Sequence, residues 1–284
     1  NNEWIKIAGS LAGKLKLKFN GKYLIAVCTA DLSKSFLERQ VYFESGLWHE
    51  PFEFEIHKLP SWIKPSIEFL SNKFPGVRIA ISPLDFNCIF IAVVLSKRAR
   101  YEVFVRNWVR QIWFSYGCSL ELISKLSFRE LEVIGRSYQL KHLIDTVKDY
   151  IKVFDSVDPL SFPVPILRRK LMKCWGIGPK TADAIILFTT TNTNVLPIDT
   201  HFIKAVKEFN WISNFKLPIK NLCLKYSCNR EEMKLLNLNL CPLSIEGSCI
   251  REFLRSIFDD LSGWIQTLTY LYGQSKISFK LHDN

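Results

Sequence analysis

Glycines, a proline and cations meet in one short stretch of the chain. It reads Leu167-Arg168-Arg169-Lys170-Leu171-Met172-Lys173-Cys174-Trp175-Gly176-Ile177-Gly178-Pro179-Lys180-Thr181-Ala182-Asp183-Ala184-Ile185-Ile186-Leu187. The pattern is a helix, a tight turn and a second helix. Gly176 and Gly178 allow backbone conformations closed to other residues. Pro179 suits the first turn of a helix, where a missing N–H costs nothing. Ile177 is expected to point back and pin the two helices. The turn and the second helix's N-terminus present N–H groups without helical partners beside Arg168, Arg169 and Lys170, which makes a ready site for a phosphate. On residue type alone, Lys180 is a phosphate clamp or a solvated helix residue. A second group follows in Leu196-Pro197-Ile198-Asp199-Thr200-His201. Asp199 precedes a helix expected over 200–209 and suits its N-cap. A carboxylate can cap a helix and still face a cleft.

The elements that must carry these groups can be read from periodicity. Residues 1 to about 80 read mostly as strand: Leu15–Phe19 and Phe52–Ile56 both alternate, with turn signals at Gly21-Lys22 and Ser45-Gly46. A helix is expected within 61–74. From about residue 82 the apolar spacing becomes helical. It runs from Asp85 to Leu95 and on through Tyr101, Phe104, Trp108 and Ile112. Further helices are expected near 119–126, 128–134, 138–154, 164–174 and 180–190, with prolines 163, 165 and 197 as breaks. No internal repeat is visible. The expected class is α+β, an N-terminal antiparallel sheet followed by a larger helical body.

Composition narrows the partners. The 284 residues carry 38 Lys and Arg against 27 Asp and Glu, a formal net charge of +11. Such a surplus suits a polyanion, because each phosphate neutralised releases counterions. The longest apolar run, Cys88 to Leu95, is far shorter than the ~20 residues a membrane-spanning helix needs. The first residues show no basic-then-apolar signal pattern. The expectation is an intracellular monomer without a membrane segment, on a polyanion such as DNA or RNA. The eight cysteines are irregularly spaced and do not read as a secreted disulfide framework.

The two groups around Lys180 and Asp199 together resemble the helix-hairpin-helix DNA glycosylases. That family's fingerprint is Gly-Ile/Val-Gly-x-Lys-x-Ala, an apolar helix, and a loop ending Pro-Val/Ile-Asp-x-His. Both halves occur here, in order, at 176–182 and 196–201. The resemblance covers the helical part well and the first 80 residues weakly. It implies that Lys180 is the nucleophile of a bifunctional enzyme, attacking C1′ of a flipped nucleotide, expelling the damaged base and forming a Schiff base. β-Elimination would then cut the strand on the 3′ side. The amine must be neutral to attack, so a lysine pKa of about 10.4 has to fall. Desolvation, the positive helix end and nearby cations all push that way. Asp199 would stabilise positive charge building on the sugar, and His201 would contact a phosphate of the lesion strand.

The C-terminal part resembles the 8-oxoguanine branch of that family. Phe253, Ile257, Leu261, Trp264, Leu268 and Leu271 form an apolar stripe. Ser262-Gly263-Trp264-Ile265-Gln266 with Tyr270 resembles the branch's last helix. By that likeness Gln266 would bond the Watson–Crick edge of the flipped purine and Tyr270 would stack on its face. Asn87–Ile91 also looks like that branch. Ala184 stands where some relatives place a cysteine against the base. Where the branch has an asparagine-rich wedge, this chain has Ser96-Lys97-Arg98-Ala99-Arg100, in which Lys97 and Arg98 are candidates for phosphate contacts.

The resemblance also implies domain bounds. A β-rich region spans 1–80, one helical lobe spans 105–204 with the hairpin at about 167–187, and 81–104 packs with 205–284 as the other lobe. The active site would lie in the cleft of this two-lobed body, on double-stranded DNA holding a damaged base. No cofactor is required for catalysis. Cys223, Cys228, Cys241 and Cys249 cluster late in the chain, at intervals matching neither the family's iron–sulfur pattern nor a common zinc ribbon. A cluster, zinc, disulfides or buried thiols stay open there. So do three other readings: an endonuclease III-type enzyme for oxidised pyrimidines, an abasic-site lyase, and a non-catalytic helix-hairpin-helix DNA-binding protein.

Overall fold

The computed structural model describes residues 3–282. It is mostly helical, with one small three-stranded antiparallel sheet among the described residues. The chain divides into two compact units. One takes in the residues up to Trp48 with Ala80–Asp158 and Cys174–Ile177; the other is His49–Ile79, Pro159–Lys173 and Gly178 onward.

In the first unit the strands β1 (Glu3–Ile5), β2 (Leu15–Phe19) and β3 (Leu24–Cys28) pair in sequence order. Glu3 faces Lys18, and Leu15 faces Cys28. The side chain of Asn20 accepts from the backbone N–H groups of Lys22 and Tyr23, and Gly21 takes a left-handed φ of 94°, which closes the turn between β2 and β3. A buried ion cluster ties this sheet to its unit: Lys6 pairs with Glu44 and with Asp85, the latter at 2.6 Å. Gly9, at φ 81°, passes so near Asp85 that a Cβ would lie 2.1 Å from its Oδ1. The apolar core of this unit is built by the Phe86–Leu95, Arg106–Tyr116 and Tyr138–Phe154 helices, where Phe86, Phe90, Tyr150 and Phe154 form a chain of ring contacts. A disulfide joins Cys88 to Cys118. Spacing of the cysteines gave no sign of it, since its partners lie on separate elements.

The second unit centres on the long helix Ser262–His282. It packs on the helices Lys64–Lys73, Thr200–Glu208 and Ile250–Phe258, with Trp264 fully buried and its indole N–H donating to the Val77 carbonyl at 3.0 Å. Gly263 is needed here, because a Cβ would come within 2.3 Å of Leu187. The helices Val164–Lys173 and Pro179–Thr189 also pack together in this unit.

The alternating stretch Phe52–Ile56, expected as strand, is a 3-10 helix over Phe52–Lys58. Phe52 and Ile56 are buried while Phe54 is 69% exposed. A five-residue window is too short to separate an alternating apolar pattern from a helical one. A helix at Lys34–Ser45, capped by Ser33, also occupies ground expected as strand. Among the described residues no helix is long and apolar enough to cross a membrane.

Candidate active site

The turn between Val164–Lys173 and Pro179–Thr189 is set by Gly176, at φ 71°. Lys97 Nζ donates to the Gly176 carbonyl at 3.1 Å, and a Cβ on Gly176 would lie 2.8 Å from that amine. Ile177 is fully buried. Gly178 is different from its expected role. Its φ of −106° and ψ near 180° suit any residue, and the space where its Cβ would stand is open. What the missing side chain leaves there is room at the N-terminus of the Lys180 helix, where N–H groups lack helical partners.

Lys180 lies in the first turn of Pro179–Thr189 and is half-buried. Burial lowers the pKa of its amine, and the Asp199 carboxylate partly offsets this by attracting the charged form. Asp199 is the N-cap of Thr200–Glu208. Its Oδ1 accepts from the Phe202 N–H at 2.7 Å. Its Oδ2 accepts from Gln266 Nε2 at 3.0 Å. Both oxygens are therefore held, and the carboxylate has one orientation relative to its helix. Gln266 itself is 7% exposed on the Ser262–His282 helix.

His201 follows two residues after Asp199. Burial lowers its pKa, Asp199 raises it and Lys204 lowers it again, leaving it below the ordinary histidine value. Its ring meets the Tyr270 ring edge-on at 5.3 Å. Gly273 clears the way for this ring, because a Cβ there would fall 2.0 Å from His201 Nδ1. That Nδ1 is buried without a hydrogen-bond partner. Lys180, Asp199, His201, Gln266, Tyr270 and buried Ala184 all belong to the second unit, and Lys97 and exposed Arg98 to the first.

Arg168, expected at a phosphate, is placed elsewhere by the structure. It is 4% exposed and binds Asp183 through Nε at 2.7 Å and an Nη at 3.2 Å. Arg251 grips the same carboxylate from the Ile250–Phe258 helix at 2.7 and 3.0 Å. Burial alone would raise the Asp183 pKa, but the two guanidiniums hold it below the usual carboxylate range. A buried arginine paired with a buried carboxylate turns its charge inward, away from a phosphate on the solvent side. Arg169 likewise donates to the carbonyls of Cys223, Leu224 and Tyr226, and Lys170 lies 4.5 Å from the Phe162 ring centre. The signal for this cluster was Asp183, the one acidic residue in a mostly buried helix.

The four late cysteines are buried, free thiols. Cys241 and Cys249 share an apolar cluster with Leu243, Leu222 and Tyr226, whereas Cys228 faces Arg251 at 3.8 Å. Burial pushes the Cys228 and Cys249 thiols up. Among the described residues no three His, Cys, Asp or Glu side chains are grouped to hold a metal ion.

No family model matches the chain. It is 25% identical over 169 residues to an N-glycosylase/DNA lyase of Saccharomyces cerevisiae, a stretch covering 56% of this chain and 43% of that relative. The chain thus matches under half the length of the relative. The structure of the Clostridium acetobutylicum 8-oxoguanine glycosylase/lyase, in complex with double-stranded DNA containing cytosine opposite 8-oxoguanine, superposes with a TM-score of 0.68 at 17% identity, covering 92% of this chain and 82% of that one. The chain has the fold of an 8-oxoguanine glycosylase/lyase.

The resemblance read from the sequence is borne out: the curated relative is an N-glycosylase/DNA lyase, and the fold is shared with an 8-oxoguanine glycosylase/lyase. The fold extends to enzymes named for other bases. A 3-methyladenine DNA-glycosylase from Archaeoglobus fulgidus superposes at a TM-score of 0.58 and 14% identity, covering 92% of this chain and 82% of that one. Fold alone therefore does not choose the base; the side chains at the site must.

Proposed function

We propose that this protein is a bifunctional DNA glycosylase and abasic-site lyase acting on an oxidised base, 8-oxoguanine first among them, in double-stranded DNA. In this reading the helix pair around Gly176 and Gly178 is a helix-hairpin-helix that grips a phosphate, and the site lies in the cleft of a two-lobed helical body. The chemistry runs through Lys180. Its neutral amine donates an electron pair to C1′, the bond from C1′ to the base breaks, and the base leaves with a proton. The C1′–O4′ bond of the resulting glycosylamine then breaks as O4′ takes a proton, giving a protonated Schiff base that acidifies the sugar's C2′ hydrogen, whose loss expels the 3′ phosphate. Asp199 holds a fixed negative charge against the cationic sugar. Gln266 and Tyr270 bind the everted purine beside Ala184, and His201 with Lys97 and Arg98 holds backbone phosphates.

One observation carries the reading: burial lowers the pKa of the Lys180 amine in the field of an Asp199 carboxylate whose two oxygens are both anchored. The first step needs an uncharged nucleophile beside a preset anion, and a surface phosphate clamp needs neither. A panel of duplexes with 8-oxoguanine, oxidised pyrimidines, alkylated purines or an abasic site tests it. Strand cleavage should be fastest at 8-oxoguanine among the damaged bases and should also occur at the abasic site. Tight binding with cleavage of none would leave only a DNA-binding protein.

A further inference from the structure

An exposed aromatic group sits beside the Gly176 turn. Trp175 is 44% exposed, although its backbone N–H is fixed by Asp149 Oδ2 at 2.9 Å. Its ring lies 4.2 Å from the His142 ring, and His142 meets Tyr138 edge-on at 5.8 Å. Tyr138 is itself exposed. Lys97 Nζ stands 5.8 Å from the Trp175 ring centre while bonded to Gly176. The Lys97 carbonyl accepts from Tyr138 Oη at 3.4 Å and Gln139 Nε2 at 3.0 Å. Arg98 and Arg100 are exposed in the same segment, which has no aromatic residue of its own.

A half-exposed tryptophan leaves a large apolar face in water, a cost that a partner able to stack on it removes. The neighbours decide which partner. Cations on the rim favour a polyanion, and a flat aromatic face favours a flat ring. An unpaired nucleobase, carried on its own phosphates, meets both conditions; a paired base hides its faces inside the duplex stack. We propose that Trp175, backed by His142 and edged by Lys97, is a stacking site for an unpaired base of the bound DNA. This rests on the reading of the protein as a DNA-binding glycosylase, but not on its chemistry. Gly176 matters to it as well: a side chain there would push the Lys97 amine off the turn.

The test is equilibrium binding of the full chain to three labelled duplexes of one sequence: fully paired, with one unpaired adenine, and with a baseless spacer in its place. Trp175→Ala should weaken the unpaired-adenine duplex roughly tenfold, the range expected for loss of one base stack, and leave the other two within about twofold. Trp175→Phe should keep most of the wild-type affinity for the adenine duplex. Equal losses on all three duplexes, or no loss on the adenine duplex, would overturn the proposal. Covalent trapping through Lys180, measured separately, separates failure of this site from failure of the glycosylase reading.

Discussion

Gln266 on the Ser262–His282 helix donates through Nε2 to Oδ2 of Asp199, 3.0 Å away and 67 positions earlier in the chain. One amide thus fixes the carboxylate that stands in the field of the Lys180 amine. In the proposed function the same amide meets the base, so base recognition and carboxylate placement share a side chain. Gln266→Ala should therefore slow release of 8-oxoguanine far more than cleavage at a ready-made abasic site. Losing one hydrogen bond to a charged group costs about 1.5–3 kcal/mol, or roughly ten- to a hundredfold, and only that part should appear at the abasic site. Equal losses on the two substrates would mean that Gln266 acts through Asp199 alone.

Asp199 also governs when Lys180 becomes neutral. Burial lowers the lysine pKa and the carboxylate raises it. Removing the charge with Asp199→Asn should lower the pKa further, so the neutral amine is reached at lower pH. Turnover should fall steeply, while the onset of Schiff-base trapping on an abasic site shifts toward acid. A shift toward alkali would show that Asp199 does not hold the charged amine.

The buried Asp183 with Arg168 and Arg251 joins the helices Val164–Lys173, Pro179–Thr189 and Ile250–Phe258. Asp183→Asn removes the anion that two buried guanidiniums share, so a loss of about 3–5 kcal/mol is expected in urea unfolding. The sign with pH follows from the depressed Asp183 pKa. Its contribution is full above the unfolded carboxylate value and is lost as pH falls through the folded one. The wild type should therefore lose more stability than the variant in acid, and parallel pH curves would contradict this.

Gly273 lies inside a helix, where alanine ordinarily adds about 1 kcal/mol of stability. Here the added Cβ would fall 2.0 Å from His201 Nδ1, on a ring packed against Tyr270. Gly273→Ala should lower the melting temperature and weaken duplex binding through the displaced His201. A raised melting temperature with unchanged affinity would mean that the ring yields at no cost.

The Cys88–Cys118 bridge closes a span of 30 residues. Chain entropy assigns such a closure about 3–4 kcal/mol. Replacing both cysteines with serine should lower stability by about that amount, and added reductant should destabilise the wild type but not the variant.

The helical build was legible where apolar residues repeat over several turns, as in Tyr138–Phe154 and Pro179–Thr189. Phe52–Lys58 was not, because a short window fits two periods. The hairpin's glycines were visible, but their roles divide: Gly176 needs its left-handed φ, and Gly178 only leaves space. Arg168 looked like a phosphate ligand because Asp183 alone does not say which arginines it binds, and the second of them, Arg251, lies 83 positions from the first. Such pairings are set by packing between helices, and neither residue type nor spacing encodes them.

Attack of the Lys180 amine on the sugar is the step on which the proposed roles of Asp199 and Gln266 depend. Borohydride reduction during reaction with an 8-oxoguanine duplex should fix the wild-type protein covalently to DNA, and Lys180→Gln should abolish that adduct while leaving duplex affinity within a few fold. An adduct of undiminished yield in Lys180→Gln would contradict it.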